Sequence, residues 1–421
     1  MPSKTVRILL SAVTALCTLC GCAEKADSLA LTVSKENIEQ RTEEIAGYLL
    51  NNDMDSVSKY LSDDAVKKEL NTAADTLKKS SGSLDHVLAV QDDIRNAGYA
   101  YFNSDNGVYR VYMQYDENMY IRASSYSVQT QVTVENGNAY TQSIIAIGPS
   151  PQTDGVLTLP NSTSNPPVAI LVPDSSEDTE KEYAFLAELA IGLAKQGVAS
   201  IRLPLRYEVY PELAMDPYAV TLEEEYTHDI AYAIHIAETE AVNASEIYYI
   251  GHGKSALLSL GMTKNHFELH GAVVLAGSYR GYEEILLSGK ENELKAQNLS
   301  DAEMDSELSA MKQAVAKIQT LDTEDTDELL LGYSADYWKQ MNAYKAEKYI
   351  NILSVPVLIL FPEEDAEYSY ETDYLPEKEM VKKKSLIRTE SYKGLDHDFR
   401  EADEDAISKD MINDLAEWIL E

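Results

Sequence analysis

Cationic residues are scarce in this chain of 421 residues: 35 lysines and arginines stand against 71 aspartates and glutamates, a formal charge of −36. Such a surface repels phosphate backbones, which argues against nucleic-acid binding. Cysteine is scarcer still. Cys17, Cys20 and Cys22 all sit at the very start, so neither a disulfide framework nor a Cys-rich zinc module can be built. Beyond the first 22 residues no apolar run reaches the roughly 18 residues of a membrane span, which excludes a polytopic membrane protein. Hydrophobic residues at 44% and charged ones at 25% are ordinary globular values and exclude wholesale disorder. The length allows two or three domains with sizeable cores.

Lys4 and Arg7 open an apolar stretch over 6–19. A positive n-region followed by an h-region too short to span a bilayer reads as an export signal. It ends in Leu19-Cys20-Gly21-Cys22. This resembles the bacterial lipobox, in which a small residue precedes a cysteine that is lipidated and becomes residue one. The resemblance implies a signal peptide over 1–21, acylation of Cys22, and a protein held on the extracytoplasmic side of the cell membrane. A plain secretory peptide cut near Ala23 is the other reading. A diacyl anchor supplies the two-chain hold that one chain lacks. The polar stretch 22–35 reads as a tether.

Residues 36–150 read as a small α+β unit. Ile38, Ile45, Leu49 and Leu50 recur at helical spacing, and Asp53 caps a second helix reaching Leu61. A third helical stretch covers 64–79. After Gly98 the period changes to two, with Asp105-Asn106-Gly107 and Glu135-Asn136-Gly137-Asn138 as hairpin turns. Helices followed by an antiparallel sheet resemble the small domain of unknown function that often precedes secreted bacterial α/β-hydrolases. The pattern also resembles cone-shaped ligand-pocket domains. Tyrosines 101, 109, 112, 115, 120 and 126 are read instead as lining a sheet face.

From Gly155 strand and helix alternate. The apolar run 168–172 has the character of a buried parallel strand. A helix over 182–196 stops at Gly197, and a strand follows over 198–203. Thr221-Leu222-Glu223-Glu224 is a capping box, opening a helix with Tyr226, Ile230, Ala233 and Ala237 on one face. Strands at 247–250, 272–275, 355–361 and 386–389 and a closing amphipathic helix over 407–420 complete the series. Repeated βα units predict an α/β architecture with a doubly wound, mostly parallel sheet over 151–421. The acidic helical segment 278–346 interrupts it, with Leu308, Met311, Val315 and Ile318 in one stripe. It is either a lid or a packed excursion.

The informative stretch is IYYIGHGKSA at 247–256, a strand running into a sharp turn and a helix. It resembles the nucleophile elbow of α/β-hydrolases, G-x-S-x-G. Gly251 and His252 match, but Gly253 stands at the nucleophile position and Ser255 at the closing glycine. Asp365, just past the strand 355–361, matches the acid. His397, within Gly394-Leu395-Asp396-His397-Asp398-Phe399, matches the general base. Nucleophile, acid, histidine is the family's chain order. The resemblance covers 150–421 and is to secreted dienelactone-hydrolase-like or peptidase-like esterases. It implies an oxyanion donor at Lys254, the residue after the nucleophile position.

Glycine has no side chain, so Gly253 cannot attack a carbonyl, and losing a triad serine costs on the order of 10⁶ in turnover. The glycine also frees the turn to relax and leaves room for a water held by His397. The family's second oxyanion loop carries His-Gly and small residues. Here it reads Pro173-Asp174-Ser175-Ser176-Glu177-Asp178. Proline lacks an N–H, and a carboxylate such as Asp174 beside a developing oxyanion destabilises it. Ser255 and Ser278 are the candidate substitutes. The side chain of Ser255 should point away from the site, and Ser278 lacks an elbow.

Gly253-Lys254-Ser255 imitates the end of a P-loop, but Tyr248 stands where its first glycine belongs. His86, His228, His235, His252, His266 and His270 have no metal-ligand spacing and read as surface or core residues. Asp396 and Asp398 would raise the His397 pKa if close. The resulting expectation is a surface-anchored lipoprotein with a degenerate α/β-hydrolase domain, needing no cofactor or metal. It would be kept for a small-molecule or peptide ligand, or for a partner. A weakly active ester or peptide hydrolase with an unconventional nucleophile is the alternative, and a purely structural envelope protein the third reading.

Overall fold

The computed structural model describes residues 33–62, 66, 68, 84–93, 96–104, 107–129, 134–149, 151–175, 179–239, 246–297, 300–321, 326–402 and 404–421. The export signal with Cys22, the tether up to residue 32, most of the expected helix 64–79, and Ser176, Glu177 and Asp178 lie outside these residues. Among the described residues no helix is long and apolar enough to cross a membrane.

Near the N-terminus the helical spacing becomes the helix Lys35–Leu50, capped by Ser34, whose side chain accepts the Asn37 amide. Its face of Ile38, Ile45 and Leu49 packs on Phe102, Tyr109, Val111 and Met113. These come from a four-stranded antiparallel sheet in chain order: β1 (Leu84–Asp93), β2 (Ala97–Ser104), β3 (Gly107–Tyr115) and β4 (Ile121–Gln129). Side chains alternate across a strand, so the opposite face of the sheet carries Tyr99 and Tyr112. That face packs on Tyr210 and Leu213 of the larger unit. Arg110 is buried there, ion-paired to Glu212 at 3.0 Å and lying over the Tyr210 ring at 4.2 Å. Of the tyrosines expected on one sheet face, Tyr109 and Tyr115 face the helix and Tyr101 and Tyr112 the larger unit, Tyr120 is exposed beside the sheet, and the side chain of Tyr126 lies outside the described residues.

The larger sheet has eight strands in the order β12-β11-β10-β9-β7-β8-β6-β5. They are β5 (Tyr140–Ile147), β6 (Thr153–Pro160), β7 (Val168–Val172), β8 (Ala199–Arg202), β9 (Ile247–His252), β10 (Leu269–Leu275), β11 (Val357–Pro362) and β12 (Ile387–Tyr392). Only β6 runs against the rest. This mostly parallel sheet is the one the βα alternation predicts. The central strands β7, β9 and β11 are buried at every position, the result of covering both faces with helices. Phe185, Leu189, Met411 and Leu415 cover one face; Ile230, Ala233, Leu260 and Met262 cover the other.

β5 lies before the boundary expected at residue 150, yet it pairs along its length with β6. The larger sheet therefore begins at Tyr140. The turn 135–138 leads from one sheet into the other and does not close a hairpin. A period of two looks the same in either sheet, so the pattern alone could not assign it. The segment 278–346 forms the helices Tyr282–Ala296, Asp301–Thr320 and Ala335–Ala343. Its stripe is buried at Leu308, Val315 and Ile318.

Candidate functional site

β9 ends at His252 and turns at once into a short 3₁₀ helix, Gly253–Leu258. Gly253 has φ +53°, so the turn keeps a left-handed backbone and has not relaxed. Gly251 is needed for a different reason. A Cβ there would meet the Ala256 nitrogen and the Ser255 carbonyl at 2.7 Å. Ser255 fastens the turn: its hydroxyl donates to Val172 O at 2.8 Å and accepts the His252 amide at 2.9 Å. It is structural and has no free hydroxyl for the site.

The expected acid and base meet. His397 Nδ1 lies 2.9 Å from Asp365 Oδ2, at the C-terminal ends of neighbouring strands. The imidazole stacks on Tyr368 and packs against His252, with centroids 5.8 and 4.4 Å away. Burial by itself would lower the His397 pKa. The Asp365 and Asp174 carboxylates outweigh burial and hold it well above its ordinary value. The flanking residues have other tasks. Asp398 pairs with Lys181 at 2.6 Å, and Asp396 accepts the Asp398 and Arg400 amides.

Asp174 is not merely beside the expected oxyanion position; its carboxylate fills the space that a side chain at Gly253 would take. A Cβ at Gly253 would meet Asp174 Cγ at 2.3 Å. Asp174 Oδ1 accepts the Lys254 amide at 2.7 Å, the donor expected to hold the oxyanion. Its Oδ2 lies 3.6 Å from His397 Nε2, on the side where a serine hydroxyl would meet its base. The Asp174 amide donates to Glu182 Oε1 at 2.9 Å. Both candidate oxyanion donors therefore already hold carboxylates of the chain itself. The space expected for a water above Gly253 holds a side chain. Burial would raise the Asp174 pKa, but His397, His252 and the Lys254 amide outweigh it and lower it.

Two buried carboxylates that sequence reasoning missed complete the site. Glu182 receives His252 Nδ1 at 2.9 Å, while His252 Nε2 faces the His397 carbonyl at 3.1 Å. Glu225 receives Lys254 Nζ at 2.6 Å and the Tyr337 hydroxyl. The Lys254 ammonium lies 4.8–5.8 Å from the ring centres of Tyr226, Tyr282, Tyr333 and Tyr337. Three of these rings come from the 278–346 segment, which thereby roofs the elbow. Burial would lower the Lys254 pKa, but Glu225 outweighs it and raises it. The missed signal was available: Glu182 stands in register at the head of the apolar stripe of Phe185, Leu186 and Leu189 on the helix Thr179–Lys195. Ser278 is committed elsewhere, donating to Asp373 at 2.7 Å.

Among the described residues, two groups offer ligand atoms close enough for one metal ion: Asp174, Glu367 and His397, and Glu182, His252 and Asp398.

No protein-family model matches this sequence, and no curated protein matches it. Among solved structures the chain is similar to Est1E from Butyrivibrio proteoclasticus, at 15% identity and TM-score 0.43, covering 66% of this chain and 97% of that one. An esterase of Pyrococcus furiosus gives 10% and 0.44 over 69% and 96%. A candidate dienelactone hydrolase of Klebsiella pneumoniae gives 14% and 0.42 over 68% and 100%. These are likenesses of fold, at identities that carry no activity.

Proposed function

We propose that this chain is a lipid-anchored extracytoplasmic protein whose hydrolase-like domain has lost serine-hydrolase chemistry and serves as a binding module. One observation carries the reading. The Asp174 carboxylate stands against the Gly253 backbone, a Cβ there meeting Asp174 Cγ at 2.3 Å, and holds the Lys254 amide at 2.7 Å. A substrate carbonyl needs both that space and that donor. A fluorophosphonate probe should leave the protein unlabelled, and nitrophenyl esters should not turn over. Turnover that disappears in His397→Ala would overturn the reading.

One observation favours a second reading, a weak ester hydrolase. Asp174 is itself a carboxylate beside His397, and carboxylates serve as nucleophiles elsewhere. Attack on an ester would form a mixed anhydride, release the alcohol and leave water to hydrolyse the anhydride. Its Oδ1 already fills the oxyanion donor, and Asp174 is only 3% exposed, so the first reading is preferred. Ester turnover abolished by Asp174→Asn would reverse that order.

A further inference from the structure

We propose that Asp174, Glu367 and His397 bind a divalent transition-metal ion, zinc foremost, at the degenerate elbow. This names a ligand for the binding role inferred above and rests on that reading. The three residues each present a ligand atom, all within 4.8 Å of one another. Two ligands of one tetrahedral zinc ion, with bonds of about 2.0–2.1 Å, sit roughly 3.3–3.4 Å apart. His397 Nε2 and Asp174 Oδ2 are separated by 3.6 Å. That is too long for a hydrogen bond and close to the spacing across a shared ion.

His397 Nε2 is shielded from solvent and has no hydrogen-bond partner among the described residues, facing the Asp174 carboxylate at 3.6 Å; the proton which that carboxylate favours there leaves when the ion binds. The rest of the residue is already arranged as in a metal-binding histidine. Its Nδ1 is held by Asp365 Oδ2 at 2.9 Å, and a carboxylate behind the imidazole fixes ring orientation and strengthens the other nitrogen as a ligand. Asp174 is also fixed through one oxygen, since Oδ1 takes the Lys254 amide. That leaves Oδ2 for the ion. Glu367 lies on an exposed turn whose amides at 367 and 368 are tied to Asp365 Oδ1. Its side chain can close on an ion without disturbing the elbow.

The donor set selects the ion. One imidazole with two carboxylates suits zinc and its neighbours, whereas calcium and magnesium take oxygen ligands throughout. Three protein ligands leave a fourth position open to water or a small anion. The second grouping does not compete. Both nitrogens of His252 already face acceptors, Glu182 and the His397 carbonyl, and Asp398 is paired with Lys181.

The test is a calorimetric titration of the metal-free full chain with Zn²⁺, beside Co²⁺ as a spectroscopic stand-in and Ca²⁺ as a control. One equivalent of Zn²⁺ should bind, and the Co²⁺ form should show the visible bands of a four-coordinate ion. Glu367→Gln, at an exposed position, should weaken Zn²⁺ binding about tenfold or more; His397→Ala should remove it. Absence of binding, binding unchanged in both variants, or a preference for Ca²⁺ would overturn the proposal. Such a failure would leave the loss of hydrolase chemistry untouched, because the probe and ester assays test that separately.

Discussion

If Gly253 stands where a related hydrolase would carry its serine, the absent hydroxyl and the absent space are a single defect. A serine introduced there would carry its Cβ into Asp174, 2.3 Å from Cγ, at a φ of +53° that costs an L-residue about 1–2 kcal/mol. Gly253→Ser alone is therefore expected to be less stable and to hydrolyse nitrophenyl esters barely above background. Adding Asp174→Gly clears the hydroxyl's place and frees the Lys254 amide. The double variant should exceed the single by roughly 10²–10³ in rate, the worth of one oxyanion donor. Robust turnover by the single variant would show that Asp174 does not block the site.

Glu377 gives a second residue-scale expectation. It is 3% exposed, and neither carboxylate oxygen finds a hydrogen-bond partner among the described residues. Burial, and then the charge of Asp373, hold its pKa well above the ordinary value. A raised carboxyl pKa means that the native state keeps the proton longer than the unfolded chain. Its contribution to stability thus falls as pH rises from the unfolded value, about 4.3, toward the native one. Glu377→Gln cannot ionise. In urea melts from pH 4 to pH 8, its stability relative to the native chain should improve with pH, by about 1–3 kcal/mol. A gap that stays flat across that range would refute the assignment.

Among the elements, the 278–346 segment decides what the elbow can accept. Tyr282, Tyr333 and Tyr337 meet Lys254, and Tyr226 and Glu225 join them from a wide π-helical turn, Glu223–Thr227. The ammonium is held by charge pairing and by ring faces together. Lys254→Met would leave the Glu225 carboxylate buried without its cation and should destabilise the protein by about 3–5 kcal/mol. Lys254→Met combined with Glu225→Gln should recover much of that loss in denaturant melts. Additive losses would mean that the two side chains act independently. The segment is thus a packed roof anchored on a buried ion pair, and opening it means breaking that pair.

For the whole molecule, two sheets meet through Tyr99, Tyr112, Tyr210 and Leu213, with Arg110 and Glu212 paired inside the contact. The small unit is therefore fastened to the chain just after β8 by apolar rings and one buried ion pair. The expected anchor belongs to this scale too. If Cys22 is acylated, the protein should partition with membranes after lysis, and Cys22→Ala should release it or block its processing. Unchanged retention of the variant would point to another anchor.

Continuous apolar runs at 168–172 and 355–361 announce strands covered on both faces, because only a sheet buried on both sides needs every side chain apolar. A glycine-bounded turn after such a strand, followed in order by Asp365 and His397, was enough to bring acid and base together on paper. The strands rest on local period, which the sequence carries directly; the acid and base rest on the resemblance of this turn and of the chain order to those of α/β-hydrolases. The tertiary structure decided the rest. The resemblance set Asp174 beside the oxyanion position, but that its carboxylate lies against Gly253 and takes the Lys254 amide follows from the packing of β7 beside β9. The rings around Lys254 come from positions far apart in the chain and converge only when the roof packs. Pairing, too, assigned β5 to the larger sheet, since alternation records which face is buried but not which partner buries it.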